Sequence, residues 1–174
     1  MKAVRIVIVL VGLALILGLT NWDILSKRRV VAEGAPLLLE LRPADPRSLF
    51  QGDYMALALA NDTMPDAATI ATLPYRGAVI LALDAQGIGR FARLDDGAPP
   101  QAGELRVQYR RHEDWSGARL DYGAQAFFFQ EGDAEFYSAA KYALLRVAED
   151  GSTVMTHLAG ADRQPMVPPV VKQP

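Results

Sequence analysis

The apolar residues of this chain fall into two regimes. From Ile6 to Leu19, fourteen consecutive positions carry no polar side chain (IVIVLVGLALILGL). Continuing through Thr20, Asn21, Trp22 and Asp23 to Leu25 gives a stretch of twenty. At about 1.5 Å per residue, twenty residues cover the roughly 30 Å hydrocarbon core of a bilayer. Beyond residue 30 the apolar positions come in short runs, several alternating with polar ones, which is the period of strands.

The first regime predicts a membrane anchor over residues 1–29. Every face of the segment is apolar, which argues against a core helix of a soluble domain. Trp22 falls where an indole favours the lipid–water boundary, and Lys27, Arg28 and Arg29 follow it. A cleaved signal peptide has the same basic start and apolar core but needs a small-x-small cleavage site. Leu17-Gly18-Leu19 and Leu19-Thr20-Asn21 do not supply one. Lys2 and Arg5 on one side nearly balance the three basic residues on the other, so the positive-inside rule alone comes close to a tie. A short leading tail and a large following domain favour a single pass with the N-terminus inside and the C-terminal domain outside the cytoplasm.

The second regime predicts a linker over Val30–Ala35 and then a strand-rich domain within 30–163. Expected strands are Leu37–Arg42, Asp53–Ala60 (with Tyr54, Ala56, Ala58 and Ala60 on one face), Gly77–Leu83, Ile88–Leu94 and Glu104–His112. Gly77–Leu83 (GAVILAL) is apolar throughout, as in a central strand buried on both faces. Tyr142–Ala148 and Thr153–Ala159 flank Glu149-Asp150-Gly151-Ser152, and Asp-Gly between strands is a hairpin signal. Asn61–Pro74 and Asp114–Tyr122 read as loops, the first with room for one helical turn. Phe127–Phe129 reads as core. Glu131–Ala140 reads as the internal helix, capped by Asp133 with a Phe136, Ala139, Ala140 stripe. The tail 164–174, with Pro165, Pro168, Pro169 and Pro174, reads as disordered. With no βαβ rhythm, the fold class is mainly β (α+β): an antiparallel small barrel or sandwich with one short helix, behind a single transmembrane helix.

Charge narrows the partners. From Val30 onward there are 13 basic and 19 acidic residues, a net of −6, which disfavours nucleic acid. Arg106, Arg110, Arg111 and His112 form the one basic cluster, and Glu104, Glu113 and Asp114 offset it, so it reads as a solvated strand face. The absence of cysteine excludes disulfides, thiolate catalysis and Cys-based zinc sites. His112 and His157 fall on separate strands without a third ligand, so neither a metal nor another cofactor is expected.

The run Asp45-Pro46-Arg47-Ser48-Leu49-Phe50-Gln51-Gly52-Asp53-Tyr54-Met55-Ala56-Leu57 resembles the signature of the GDYXXLXY-type membrane-anchored proteins. Gly52, Asp53, Tyr54 and Leu57 match, whereas the final Tyr of the pattern is replaced by Leu59 or Ala60. Tyr122-Gly123, Phe127-Phe128-Phe129 and Glu131-Gly132 look like a later block of the family, with Gln125 where an acidic residue is expected. The resemblance implies a bitopic bacterial envelope protein, hence a single pass through the inner membrane with the C-terminal domain in the periplasm, and no particular activity.

Two readings of these residues stand side by side. In the structural one, Gly52 makes a turn, Asp53 accepts hydrogen bonds at a strand entrance, and Tyr54 packs its ring. In the functional one, Asp53, Tyr54, Asp45, Tyr122 and Glu131 line a recognition cleft. The expected role is a non-catalytic binding or accessory module that meets an integral membrane protein or envelope component. The alternative is an anchored Ser/Lys hydrolase, similar in layout to signal peptidases, with Ser48 as nucleophile and a desolvated Lys141 as base.

Overall fold

The computed structural model describes residues 2–42, 54–114 and 117–168. Helix α1 spans Lys2–Glu33. Its stretch Val9–Glu33 has a mean hydropathy of 1.8 and is long and apolar enough to cross a membrane, and none of it is buried against the rest of the chain. A core helix would be covered, so that alternative falls. Thr20 Oγ1 donates to the Ile16 carbonyl (2.9 Å) and Asn21 Nδ2 to that of Leu17 (2.8 Å). Thr20 and Asn21 are thus satisfied on the helix itself, as a nonpolar solvent demands, and Asp23 near its end pairs with Lys27 one turn on (3.2 Å).

The expected linker is not there. Helix α1 runs to Glu33, and after Gly34 strand β1 begins at Ala35 and runs to Glu40. The Gly34 amide donates to the Val30 carbonyl (2.9 Å), and Arg146 Nη1 donates to the Gly34 carbonyl (3.2 Å). A Cβ at Gly34 would stand 2.5 Å from the Val30 oxygen and 3.0 Å from that of Val147. Helix and sheet therefore meet at a backbone-to-backbone contact that leaves room only for glycine.

The remaining elements are β2 (Tyr54–Ala56), a 3-10 turn at Asn61–Thr63, α2 (Ala67–Thr72), β3 (Arg76–Leu83), β4 (Gly89–Leu94), β5 (Glu104–Asp114), β6 (Gly117–Asp121), β7 (Ala126–Phe128), α3 (Ala134–Tyr137), β8 (Tyr142–Val147) and β9 (Thr153–Ala159). All ladder pairings are antiparallel, in the orders β1-β8-β9, β2-β7 and β4-β3-β5-β6. A parallel bridge, Leu38 to Ile88, joins β1 to the start of β4. On the other side the β8–β9 turn reaches the edge of β5, where the Gln108 amide donates to the Gly151 carbonyl (2.8 Å). The result is a β-rich half-barrel, in agreement with the expected fold class.

The core lies inside that curve. Leu37, Leu39, Val79, Leu81, Val107, Tyr122, Ala143, Leu145 and Leu158 are fully buried. Strand β3 is central as its composition predicts, with Val79, Ile80 and Leu81 all buried. Ile80 points out of the core, and the register sets Arg93 and Arg106 on either side of it. Arg93 is held by Asp96 (2.9 Å) and Glu104 (3.2 Å), and Arg106 by Asp95 (3.1 Å), so their aliphatic stems lie over the outer face.

Several expectations need correction. The presumed loop Asp114–Tyr122 contains β6, paired with β5 from Gly117 opposite Asp114 to Asp121 opposite Arg110. Its single large apolar residue, Leu120, is buried, but the flanking charges hid it. The second strand ends at Ala56 rather than Ala60, and the buried position beyond it is Leu59. Internal helix α3 has only four residues; Asp133 makes no side-chain cap bond, and Tyr137 rather than Phe136 is the buried member. The proline tail is tied down at its start: Pro165 bridges Ala159, and the Met166 amide donates to the Leu158 carbonyl (2.8 Å).

Candidate functional site

Strand β2 pairs with β7, placing Tyr54 opposite Phe128, Met55 opposite Phe127 and Ala56 opposite Ala126. The Tyr54 and Phe128 rings lie 5.8 Å apart on one face of this ribbon. On the other face Phe127 packs edge-on against Tyr137 (5.0 Å), which also meets Phe129 (5.4 Å) and Phe136 (5.1 Å). The Phe triple is therefore split by strand alternation. Phe127 and Phe129 pack against the core, while Phe128 is 77% exposed.

The ribbon is tied to the barrel through Leu57, whose amide donates to the Gln125 carbonyl (2.8 Å) and whose side chain packs against the core. Two residues on, Leu59 bridges Leu41, and the Arg42 and Ala60 amides bond across the same seam. The spacing from Tyr54 to Leu57 thus takes the chain from an exposed aromatic face to an anchored one within four residues.

Tyr122 is the hub beneath. Its ring is fully buried, its hydroxyl donates to the Thr63 carbonyl (2.9 Å), and its own carbonyl accepts from Thr153 Oγ1 (2.5 Å). Thr63, also buried, donates its hydroxyl to the Ala60 carbonyl (2.6 Å). Tyr122, just after β6, therefore meets the chain following β2 through its hydroxyl and the start of β9 through its backbone carbonyl. Gly123 follows at φ 84°, and its amide donates to Asp121 Oδ1 (2.7 Å). A Cβ there would stand 2.7 Å from Thr153 Oγ1, so the Tyr-Gly pair has a packing explanation.

Of the residues singled out in the sequence, Asp45, Ser48, Gly52 and Asp53 lie outside the described residues. Tyr54 and Leu57 belong to the ribbon and its root, and Tyr122 and Gly123 to the hub. Glu131 and Gly132 are exposed in the turn before α3, where the Asp133 amide bonds the Gln130 carbonyl (3.1 Å). Lys141 is exposed, contrary to the burial that a general-base lysine requires. His112 Nε2 lies 3.9 Å from Asp121 Oδ2, and His157 is exposed on β9. Among the described residues no group of three His, Cys, Asp or Glu is placed to hold a metal ion.

Sequence reasoning missed Thr63 and Thr153, the two partners of Tyr122. They lie 59 and 31 positions from it, and no local pattern marks such contacts. Phe128 corrects the reading of Phe127–Phe129 as core: strand alternation turns it outward, where it is exposed.

Burial has a titration consequence here. It pushes the Tyr122, Tyr109 and Tyr137 hydroxyls above the ordinary tyrosine value of 10.0. The folded state resists deprotonation, so this contribution to stability is fully present below pH 10 and is lost as pH rises above it. Alkaline titration should show Tyr122 ionising only together with unfolding, and Tyr109 and Tyr137 ionising later than exposed tyrosines, as read by near-ultraviolet tyrosinate absorbance against circular dichroism. Early ionisation of all six tyrosines in a still-folded chain would contradict it.

Comparison with the curated proteins and with the solved structures returned no match. A family model described as GDYXXLXY protein matches residues 16–158, from the middle of α1 to the penultimate residue of β9. The match takes in the ribbon, the Tyr122 hub and the half-barrel around them, and on that extent the chain belongs to the GDYXXLXY protein family.

Proposed function

We propose that this protein is a single-pass, membrane-anchored binding module whose half-barrel stands in the periplasm and engages an integral membrane protein or envelope component. The observation that carries this reading is the joint at Gly34. An exposed, membrane-length helix passes into β1 without a linker, which fixes the domain beside the bilayer. The contact surface in this reading is the β2–β7 ribbon, with Tyr54 and the exposed ring of Phe128 side by side. Aromatic residues of this kind are the usual energetic anchors of protein interfaces.

A photo-crosslinking residue in place of Phe128, in the full chain in native membranes, should give discrete adducts that are absent when the same residue replaces exposed Gln86 on the β3–β4 turn. Identical, diffuse labelling from both positions would reject the ribbon as a docking surface. Orientation has its own readout. Alkaline phosphatase joined after Pro174 should be active, whereas a fluorescent, phosphatase-inactive pair of fusions would place the domain in the cytoplasm.

A further inference from the structure

We infer that the cleft between the end of α1 and the β8–β9 turn binds a zwitterionic phospholipid headgroup with a primary ammonium, a phosphoethanolamine group. The inference rests on the proposed anchoring in a bilayer and is independent of the ribbon's role. The cleft measures about 990 Å³, at the upper end of the range of about 300–1,000 Å³ for small-molecule sites. Asp23, Ser26, Lys27, Val30 and Glu33 line it from the helix. Spacings of three and four residues put them on one face of α1. Ile24, Leu25 and Val31 fall on the opposite face and are exposed. A stem packed dry against its own domain would turn its apolar face inward. This one turns its polar face inward, across a space sized for a polar occupant.

Position and charge name that occupant. The apolar stretch ends at Leu25, so Ser26 to Glu33 stand in the headgroup layer, with the exposed ring of Trp22 at its lower boundary. Both signs of charge line the cleft, in the order of a zwitterionic headgroup. Lys27 and Arg29 lie next to the apolar stretch, on the side from which a lipid's phosphate enters. Glu33 follows about 6–9 Å further along the axis, and Glu149 and Asp150 of the β8–β9 turn form the domain wall, within reach of the ammonium. Lys27 holds Asp23 (3.2 Å) in an exposed pair, weak enough to yield to a phosphate, and Arg106 on the domain wall is held by Asp95 (3.1 Å). Among the described residues, Arg29, Glu33 and Glu149 have no ion-pair partner. Four acidic and three basic side chains line the walls, so an anionic headgroup is disfavoured and a zwitterion is not. The acceptors select a primary ammonium. Glu33, Glu149, Asp150 and Ser152 present oxygens that call for N–H donors. Quaternary ammonium groups are held by aromatic rings, and among the described residues no aromatic side chain lines this cleft.

The test reconstitutes full-length protein in nanodiscs of phosphatidylcholine with a minor fraction of phosphatidylethanolamine and phosphatidylglycerol. Lipids retained on the released protein are counted by native mass spectrometry. Phosphatidylethanolamine should be enriched about tenfold over its share of the bilayer, the ratio expected of one charge-assisted hydrogen bond that choline cannot make. Glu149→Gln should remove that enrichment, and Arg29→Gln should lower retention of every phospholipid at the site. Glu135→Gln, which changes an exposed acid on α3 outside the cleft, should behave as wild type. The inference is overturned if the inserted protein retains the three lipids in proportion to the bilayer or prefers phosphatidylglycerol. It is equally overturned if Glu149→Gln and Arg29→Gln match wild type, or if Glu135→Gln loses the enrichment too. A chain that does not enter the nanodiscs at all overturns the anchoring, and the inference with it.

Discussion

Tyr122→Ala is expected to destabilise the domain by about 3–5 kcal/mol, the range for truncating a large buried aromatic residue. Domain stabilities are typically about 5–15 kcal/mol, so the variant would stand close to its unfolding threshold. The loss has two parts that Tyr122→Phe separates. The Phe variant keeps the ring but leaves the Thr63 carbonyl without its donor (2.9 Å in the wild type), which costs about 1–3 kcal/mol. Chemical denaturation of the domain in detergent should order the three proteins wild type, Phe, Ala. A Tyr122→Ala midpoint equal to that of wild type would mean that the buried ring and its bond to Thr63 do not stabilise the domain.

The second large effect concerns Leu37 and Gly89, where β1 meets the start of β4. Leu37 is fully buried, and a Cβ at Gly89 would stand 2.5 Å from Leu37 Cδ1 and 3.3 Å from Leu81 Cδ1. Leu37→Ala should cost about 2–5 kcal/mol through lost burial and the cavity left behind. Gly89→Ala should cost about 1–3 kcal/mol through overpacking. Together they should cost less than their sum, because the added methyl enters the space that the leucine vacates. A double-mutant cycle of unfolding free energies measures this directly. Strict additivity would show that the two residues do not share that space.

How far the sequence foretold this molecule depended on how local the cause was. The twenty-residue apolar stretch, the buried run GAVILAL and the Asp-Gly turn between β8 and β9 each carry their signal within a few residues, and all three appear where expected. Strand β6 was missed because one buried leucine among charges has no period to detect; its identity comes from pairing with β5. Helix α3 was overextended because Phe136, Ala139 and Ala140 mimic a helical stripe, while the aromatic cluster around Tyr137 ends the element early. The ribbon was half legible: Tyr54 and Leu57 stood out, but the partner strand that gives Tyr54 a neighbour did not.

The same contrast holds for the arginines. As a string, Arg106, Arg110, Arg111 and His112 look like an evenly solvated strand face. In space, Arg106 is held by Asp95, Arg111 donates to the Ala71 carbonyl (2.9 Å), and Arg110 stands between Arg76 on β3 and Asp121 on β6. Offsetting charges along a sequence do not guarantee offsetting charges across a sheet, since register decides who meets whom.

Because Gly34 leaves no slack between α1 and β1, the half-barrel cannot swivel independently of its stem. Any rotation of the helix about its own axis must turn the folded unit through the same angle. In the binding role proposed above, a partner gripping the aromatic ribbon would also dictate which side of the stem faces that partner's membrane segments. Recognition outside the bilayer and helix alignment within it would then be a single mechanical event.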